Sequence, residues 1–344
     1  MSATALTVIG TCPTYRVNQS AAEYLESLRT AVQRAEEHGW SSMLIYSDHA
    51  QMDPWIVANL LLGATRRLAP LVALQPLYLH PFSAAKLVVS LSLLYDRPVH
   101  INFISGGHPR DLETFCDDYS HDERYTRIIE YATVMKHILC ERKALTFNGR
   151  FYKVESLQLR QLPPLEAHCI PMLTMSGSSA AGLSAARTLG ARAIQYLKPY
   201  EDYEGVGFPP DLQHGTRVGI ISRDSADEAW RIARQRYPAD SDGAELREYY
   251  QQVSDSVWVR ELARIKGSRQ GQPYWLGPYK NNQASCPFLV GAKETVAAAL
   301  AGYIRLGLTT FLVETPTDDE DASYITETLR LAAEQARNDL HSTS

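Results

Sequence analysis

The 344-residue sequence lacks any apolar run of the ~20 residues that a membrane-spanning helix needs. It has no basic excess either: 34 Lys and Arg stand against 39 Asp and Glu, and the net charge of -5 argues against a nucleic-acid partner. The first ten residues, MSATALTVIG, contain neither a basic segment nor a small-residue cleavage site, so we predict no secretory signal. Together with a hydrophobic content of 45%, these absences predict a cytoplasmic globular protein with no membrane partner.

Cysteine is sparse and unpaired. The five cysteines are odd in number and widely scattered, and no two form a CxxC pair. This pattern predicts neither a disulfide framework nor a zinc site, and it is typical of a reduced compartment. The sequence also contains no GxSxG elbow and no HExxH metal motif. We therefore predict neither a metal site nor a hydrolase.

What the sequence does contain is a regular alternation of short apolar runs with amphipathic stretches. Repeated βα units favour a parallel sheet covered by helices, and eight of them favour a (β/α)8 TIM barrel over an open sheet. We predict one such domain over residues 1–344. The predicted strands lie within residues 5–10, 41–47, 71–79, 99–105, 170–177, 191–197, 216–222 and 309–314.

Two segments interrupt this alternation. Asn148-Gly149 stands between two alternating runs and predicts a β-hairpin near residues 143–160, outside the main sheet. Residues 237–287 are polar and contain Gly267, Gly271, Gly277 and several prolines. That composition predicts a lid-like insertion that becomes ordered over a ligand, with a plain surface excursion as the alternative.

Active sites in TIM barrels lie at the C-terminal ends of the strands, which draws attention to two glycine-containing stretches. NFISGGHPRD, residues 102–111, lacks the Lys-Ser/Thr of a Walker loop and the spaced glycines of a dinucleotide fingerprint, so its glycines predict a turn. Gly177, Ser178 and Ser179 are the better candidates for a phosphate site, because they lead from a strand into a helix. A simple serine N-cap remains an equal alternative. With no obvious protein-borne catalyst at the strand ends, a cofactor is expected to supply the chemistry.

Seven motifs in order resemble the bacterial luciferase-like flavin monooxygenases, most of all the alkanesulfonate monooxygenase branch. They span residues 7–333 and are RRLAPLVALQP, HINFISGGHPRDL, HDERYTRIIEY, FNGRFY, SGSSAAGLSAA, VGIISRDSADEAW and LVGAKETVAAAL. The resemblance implies a two-component monooxygenase that takes reduced FMN (FMNH2) from a separate NAD(P)H-dependent flavin reductase. In such enzymes O2 forms a flavin (hydro)peroxide that oxygenates a small organic molecule. A homo-oligomer, dimer or tetramer, is also implied.

The resemblance assigns one set of residues to the flavin ring. Asn102 would bond the edge of the isoalloxazine, and Ser105 would lie beside it. Ala73-Leu74 matches the position under the ring where the family often has a cis peptide bond without proline, a conformation that costs about 3–4 kcal/mol. A second set would hold the phosphate, and it comprises His121, Tyr125, Gly177, Ser178 and Ser179.

The resemblance places the catalytic and substrate-binding residues at five positions. Arg217 matches an arginine that faces flavin and substrate, and it would stabilise negative charge on the peroxide. Tyr196 stands where the branch commonly has Trp, and Gln51 where it has Cys. Asn282 stands near the position of a mobile-loop arginine, with Lys280 as the nearest cation.

Two further positions differ from the alkanesulfonate branch. Gly219 replaces a strand-end His, and Pro316 replaces a Tyr that follows the last strand. A sulfonate needs clustered cations and donors to replace its hydration, so these differences argue for another substrate, for which a role in specialised metabolism is one hypothesis. Two other functions stay open: F420-dependent hydride transfer and flavin binding without catalysis.

Overall fold

The computed structural model describes residues 6–106, 109–141, 143–203, 205–254, 256–265 and 271–342. Gly107 and His108 of the predicted turn and Gly267 of the predicted lid-like insertion lie outside these ranges. The chain divides into two compact units. The N-terminal unit comprises Thr11–Glu36 and Ser41–Ala193, and the C-terminal unit comprises Met1–Gly10, Glu37–Trp40 and Ile194–Ser344.

The strands are β1 (Thr7–Thr11), β2 (Ser42–Ile45), β3 (Ala69–Leu74), β4 (His100–Phe103), β5 (Leu145–Asn148), β6 (Lys153–Leu157), β7 (Leu173–Ser176), β8 (Arg192–Tyr196), β9 (His214–Arg223), β10 (Tyr274–Trp275), β11 (Phe288–Ala292) and β12 (Leu308–Val313). The helices are α1 (Ala21–Glu37), α2 (Pro54–Ala64), α3 (Pro81–Tyr95), α4 (Pro109–Thr114), α5 (His121–Cys140), α6 (Ala180–Leu189), α7 (Ala226–Arg236), α8 (Ser241–Val253), α9 (Val257–Arg264), α10 (Gly277–Lys280), α11 (Lys293–Arg305) and α12 (Asp319–Ser342). Short 3-10 helices cover Ala167–Cys169 and Tyr200–Tyr203.

In the N-terminal unit, strands β2, β3, β4 and β7 pair in parallel in that order. All six residues of β3 are buried. A strand with no exposed residue is typical of a parallel sheet that is covered on both faces. Helix α2 packs on β3, and α3 packs on α5.

In the C-terminal unit, β9 is the longest strand, and all ten of its residues are buried. Its first half pairs in parallel with β12, which also pairs with β1. Its second half pairs in parallel with β11, and the short β10 adds to β11 in antiparallel orientation.

All eight predicted strands are present, as β1, β2, β3, β4, β7, β8, β9 and β12, and each belongs to the parallel βα pattern. The prediction of a (β/α)8 barrel is therefore confirmed, whereas the single domain over residues 1–344 stays a prediction. Strand β11 was not predicted, because FLVGA is a short apolar run directly before a helix and such runs do not distinguish strand from helix.

The predicted hairpin is confirmed as a separate two-stranded antiparallel sheet of β5 and β6. Its turn is fixed by the carboxylate of Glu130 on α5. That carboxylate accepts the backbone N–H groups of Arg150 and Phe151, each at 2.8 Å, and of Tyr152 at 3.1 Å. The hairpin is thus anchored to the helix that carries His121 and Tyr125.

The insertion at residues 237–287 contains more regular structure than its composition suggested. Its described part holds the three helices α8, α9 and α10 as well as β10. Asp240 begins α8 by accepting the N–H of Gly243 at 3.0 Å, a local capping signal that outweighs the glycine and proline content. Whether the segment becomes ordered over a ligand stays a prediction. Across the described ranges, no helix is both long and apolar enough to cross a membrane.

Candidate active site

The residues assigned to the flavin ring lie on adjacent strands of the N-terminal unit. The strand register places Ala73 beside Asn102 and Asn102 beside Thr174. The hydroxyl of Thr174, which is fully buried, donates to Oδ1 of Asn102 at 2.8 Å. This bond fixes the amide so that its NH2 group is left to donate elsewhere. Thr174 had not been predicted, and only the register of β4 against β7 identifies it.

Gln75, immediately after β3, supplies a second amide close by. It is 5% exposed, and its Nε2 has no hydrogen-bond partner among the described residues. A buried donor without an acceptor destabilises a fold by about 1–3 kcal/mol, so a ligand acceptor is expected there. A Cβ on Gly106 would lie 2.8 Å from this Nε2, and Gly106 has φ of +78°. The close contact and the positive φ explain why position 106, in the predicted turn, is a glycine. No role had been assigned to Gln75 from the sequence.

The peptide bond between Ala73 and Leu74 is not cis, since no peptide bond in the described ranges is cis. This corrects the resemblance-based expectation. Both residues continue the regular register of β3 with β4, and Leu74 O accepts the N–H of Ile104 at 3.0 Å. Nothing in that ladder opposes the trans form, which is favoured by about 3–4 kcal/mol. Ser105, also assigned to the ring, is half-buried and donates to Gly106 O at 3.4 Å.

The residues assigned to the phosphate converge on the first turn of α6. Ser179 is the N-cap of α6, and its hydroxyl oxygen accepts the N–H of Gly182 at 3.0 Å. The predicted serine N-cap is therefore present, whereas the phosphate site stays a prediction. The hydroxyl of Tyr125 lies 3.2 Å from the position that a Cβ on Gly182 would take. His121 is one turn from Tyr125 on α5, and the two ring centroids are 5.1 Å apart.

Gly177 and Ser178 complete this turn. A Cβ on Gly177 would lie 2.7 Å from Cβ of Ala193, so only glycine fits between β7 and β8 at this point. Ser178 is half-buried and directly precedes the N-cap. The turn therefore combines a helix N-terminus with the hydroxyls of Ser178 and Tyr125, and it fits a phosphate. Together with the Gln75 amide, the donors of this unit fit a flavin mononucleotide.

A second polar cluster lies in the C-terminal unit around Arg217. Its Nε and Nη2 atoms both donate to Oε1 of Glu314, at 3.1 Å and 2.8 Å. The thiol of Cys286, which is fully buried, donates to the same oxygen at 3.2 Å. Burial and the adjacent carboxylate raise the pKa of this thiol well above its ordinary value, so it stays protonated and can donate.

Neither Glu314 nor Cys286 had been predicted as a site residue. Glu314 follows β12 directly, and Arg217 pairs with Leu312 in the register of β9 and β12. The pairing of these strands brings together two residues that are 97 positions apart in the sequence. A signal in the sequence could have been the carboxylate that ends the last predicted barrel strand, TTFLVE.

Tyr196 belongs to the same cluster. Burial raises the pKa of its phenol to about 12, opposed in part by a hydrogen bond and charge from Arg217. Its ring stacks on Trp258 of α9, with 3.9 Å between centroids and 17° between planes. The phenol therefore stays neutral beside the ion pair, and the two rings form a flat wall next to it.

The remaining assigned residues lie elsewhere. Gln51, in the N-terminal unit, accepts the backbone N–H of Tyr15 at 2.8 Å through its Oε1. Lys280 is the last residue of α10, and Asn282 is an exposed residue with φ of +56°. The catalytic or substrate-binding roles of Gln51, Lys280 and Asn282 stay predictions.

The glycine that replaces the strand-end His has a local explanation. Any Cβ on Gly219 would overlap the ring of Phe288, which lies against it from the neighbouring strand β11. Phe288 is 2% exposed and belongs to the apolar core that includes Cys286. Gly219 lies in the middle of β9, and the space that a side chain would need there is filled by an aromatic ring.

One group of possible metal ligands lies in the N-terminal unit, away from the strand ends. Asp96, His168 and Cys169 bring their ligand atoms within 4.8 Å of one another. His168 and Asp96 are exposed and form an ion pair with 2.7 Å between Nε2 and Oδ1. That pair accounts for the arrangement without an ion, and the predicted lack of a metal site stays a prediction.

Parallel strands alternating with helices, with side-chain donors in or directly after the neighbouring strands β3, β4 and β7, define a cofactor-dependent enzyme on a (β/α)8 scaffold. The chain belongs to the luciferase-like monooxygenase family, which matches residues 7–310. It is 32% identical over 306 residues to a monooxygenase of Niallia circulans, BtrO, which acts on a 4-(gamma-L-glutamylamino)butanoyl acyl-carrier protein; the match covers 87% of this chain and 89% of BtrO.

Two solved structures show the same fold. EDTA monooxygenase (EmoA) from Chelativorans sp. BNC1 has a TM-score of 0.72 and 14% identity, with 96% of this chain and 94% of EmoA covered. The oxygenating constituent of 3,6-diketocamphane monooxygenase from Pseudomonas putida, in complex with FMN, has a TM-score of 0.67 and 16% identity, with 96% and 98% covered. The predicted family and the prediction of a flavin-dependent monooxygenase are thus confirmed, while the alkanesulfonate branch stays a prediction.

Proposed function

We propose that this chain is the oxygenase of a two-component system. It binds reduced FMN delivered by a separate NAD(P)H-dependent flavin reductase and uses O2 to transfer one oxygen atom to a small organic substrate. The observation that carries the cofactor part is the buried Nε2 of Gln75, which has no hydrogen-bond partner among the described residues. Gln75 directly follows β3, the strand that places Ala73 beside Asn102 of β4. An acceptor on the flavin ring would satisfy this donor.

The remaining contacts follow from the same unit. The NH2 group of Asn102, oriented by Thr174, would donate to the ring edge. The hydroxyls of Tyr125 and Ser178 and the N-terminus of α6 would hold the phosphate. The bound reduced flavin supplies the electrons that activate O2, and the chain positions the substrate and excludes water.

We further propose that the substrate is an amide-containing acyl compound, either free or carried by an acyl-carrier protein. BtrO acts on an acyl group that contains an amide, and its 32% identity over most of both chains supports a related substrate. The Arg217–Glu314 pair supports it as well, because a neutral ion pair suits an uncharged polar group better than a sulfonate.

The test is an anaerobic titration of the flavin-free protein with reduced FMN, oxidised FMN and F420, followed by turnover with a generic flavin reductase under air. We expect reduced FMN to bind most tightly, and mass spectrometry to find products heavier than the substrate by one oxygen atom. Tight binding of F420 without binding of reduced FMN would instead support hydride transfer. Hydrogen peroxide as the sole product, with every amide-containing acyl substrate tried, would support flavin binding without catalysis.

A further inference from the structure

The cation at Arg217 is half of a partly buried ion pair. The side chains of Arg217 and Glu314 are 10% and 22% exposed, and two guanidinium N–H groups converge on one carboxylate oxygen. Partial removal from water strengthens the attraction between the two charges, because the surroundings screen that attraction less than water does. The strand end therefore presents a neutral pair to an incoming molecule.

The two oxygens of Glu314 are used unequally. Oε1 accepts all three bonds, from Nε and Nη2 of Arg217 and from the thiol of Cys286. Within the described part of the chain, Oε2 accepts none, yet it is not among the buried polar atoms that lack a partner. Since the side chain keeps 22% of its exposure, Oε2 faces an accessible space. A carboxylate oxygen in that position is an acceptor for an N–H group of a ligand.

The surroundings suit an uncharged ligand group. The stacked rings of Tyr196 and Trp258 form a flat wall beside the pair, and the Tyr196 hydroxyl bonds to Arg217. A planar amide has an N–H donor for Glu314 and an apolar face for the ring wall. A sulfonate or carboxylate has no such donor, and its negative charge would lie next to that of Glu314.

We propose that Glu314 is a selectivity residue: it neutralises Arg217 and offers Oε2 to an amide N–H, so that this subsite binds amides and rejects oxyanions. The proposal rests on the proposed function only in taking this cluster as part of the substrate site. Beyond that function, it assigns to Glu314 the exclusion of oxyanions from the substrate site.

The test compares two small probes of similar length, pentanamide and butane-1-sulfonate, by calorimetry with the flavin-free protein. We expect the wild type to bind pentanamide at least about tenfold more tightly than the sulfonate. Glu314→Gln keeps the size of the side chain and removes its charge, so sulfonate affinity should rise about tenfold or more. The matched control is Glu327→Gln, because Glu327 pairs with Lys293 at the surface and the substitution should leave both affinities unchanged.

The proposal is overturned if the wild type binds the sulfonate as well as the amide, or binds neither probe. It is also overturned if Glu314→Gln and Glu327→Gln behave alike. Should Glu314→Gln fail to fold in a thermal melt, the wild-type ratio still decides, and Arg217→Gln/Glu314→Gln gives a second variant that should not gain sulfonate binding. No flavin is present, so a failure to bind reduced FMN contradicts the proposed function without affecting these ratios.

Discussion

The hydroxyl oxygen of Tyr125 lies 3.2 Å from the point at which a side chain on Gly182 would begin, so α5 and the first turn of α6 meet at a residue that has no side chain. The same Cβ would overlap the carbonyl oxygen of Ser176, and it would lie 3.2 Å from Oγ of Ser179. Gly182 is buried within a helix, where glycine is ordinarily less favourable than alanine by roughly 0.5–1 kcal/mol. Its presence is explained by the need to keep this turn open.

We therefore predict that Gly182→Ala destabilises the protein by roughly 1–3 kcal/mol despite the higher helix propensity of alanine, because the added methyl group overpacks the turn. If this turn holds the FMN phosphate, the affinity for reduced FMN should fall as well. Urea unfolding measures the first effect and anaerobic titration the second. Ala180→Ser, at an exposed residue of the same turn, is the control and should change neither. A Gly182→Ala protein more stable than wild type would contradict the overlap.

A second prediction concerns Gly219 and Phe288. Gly219→Ala should destabilise the C-terminal unit by roughly 1–3 kcal/mol, since the new methyl group meets the Phe288 ring. Phe288→Leu replaces that ring with a smaller aliphatic side chain and should itself destabilise, but the two substitutions together should destabilise by less than the sum of their separate effects. A double-mutant cycle from urea unfolding measures this coupling. Purely additive free energies would show that the two residues do not compete for the same space.

The outcome for these strands shows what the sequence could predict. Barrel strands such as β3 and β9 could be predicted because a fully buried parallel strand is a short apolar run. Strand β11 was missed because its apolar run leads directly into a helix and has no distinct period. Helix α8 was not predicted because the glycine and proline content of this segment is typical of a loop, whereas the cap at Asp240 is a single local signal.

The candidate site was predicted unevenly for a related reason. Ordered motifs pointed to single positions such as Asn102 and Arg217, whereas their partners depend on strand register. Thr174 meets Asn102 across β7, and Glu314 meets Arg217 across β12. Register between strands that are far apart in the sequence is set by the packing of the whole sheet, so no local pattern could have shown that Thr174 pairs with Asn102 or Glu314 with Arg217.

A third prediction concerns the hairpin anchor. Glu130→Ala removes the acceptor of the N–H groups of Arg150, Phe151 and Tyr152. We expect hydrogen exchange at these three amides to accelerate roughly tenfold or more, as the loss of a charged acceptor implies. Exchange measured by NMR or mass spectrometry tests this. Glu155→Ala, on the exposed side of β6, is the control, and equal protection in both variants would show that Glu130 does not hold the turn.

The last prediction concerns stability against pH and His100. Burial, reinforced by the positive charge of Arg192, lowers the pKa of His100 to about 4. Its Nδ1 accepts the N–H of Met172 at 3.0 Å, a role that requires this nitrogen to be unprotonated. In the unfolded chain the imidazole titrates near its ordinary pKa of about 6.5. Because the unfolded state then binds a proton that the folded state does not, stability should fall as the pH drops from about 6.5 towards 4, and this contribution should level off below that.

Between pH 7 and pH 5 the expected loss from this residue is about 2 kcal/mol. His100→Gln keeps a side-chain acceptor for Met172 but does not titrate, so its free energy of unfolding should fall less over the same interval. Urea unfolding of both proteins at pH 7, 6 and 5 gives the difference directly, because the other groups titrate alike in both and cancel. Parallel stability curves for the two proteins would show that His100 has no depressed pKa in the folded state.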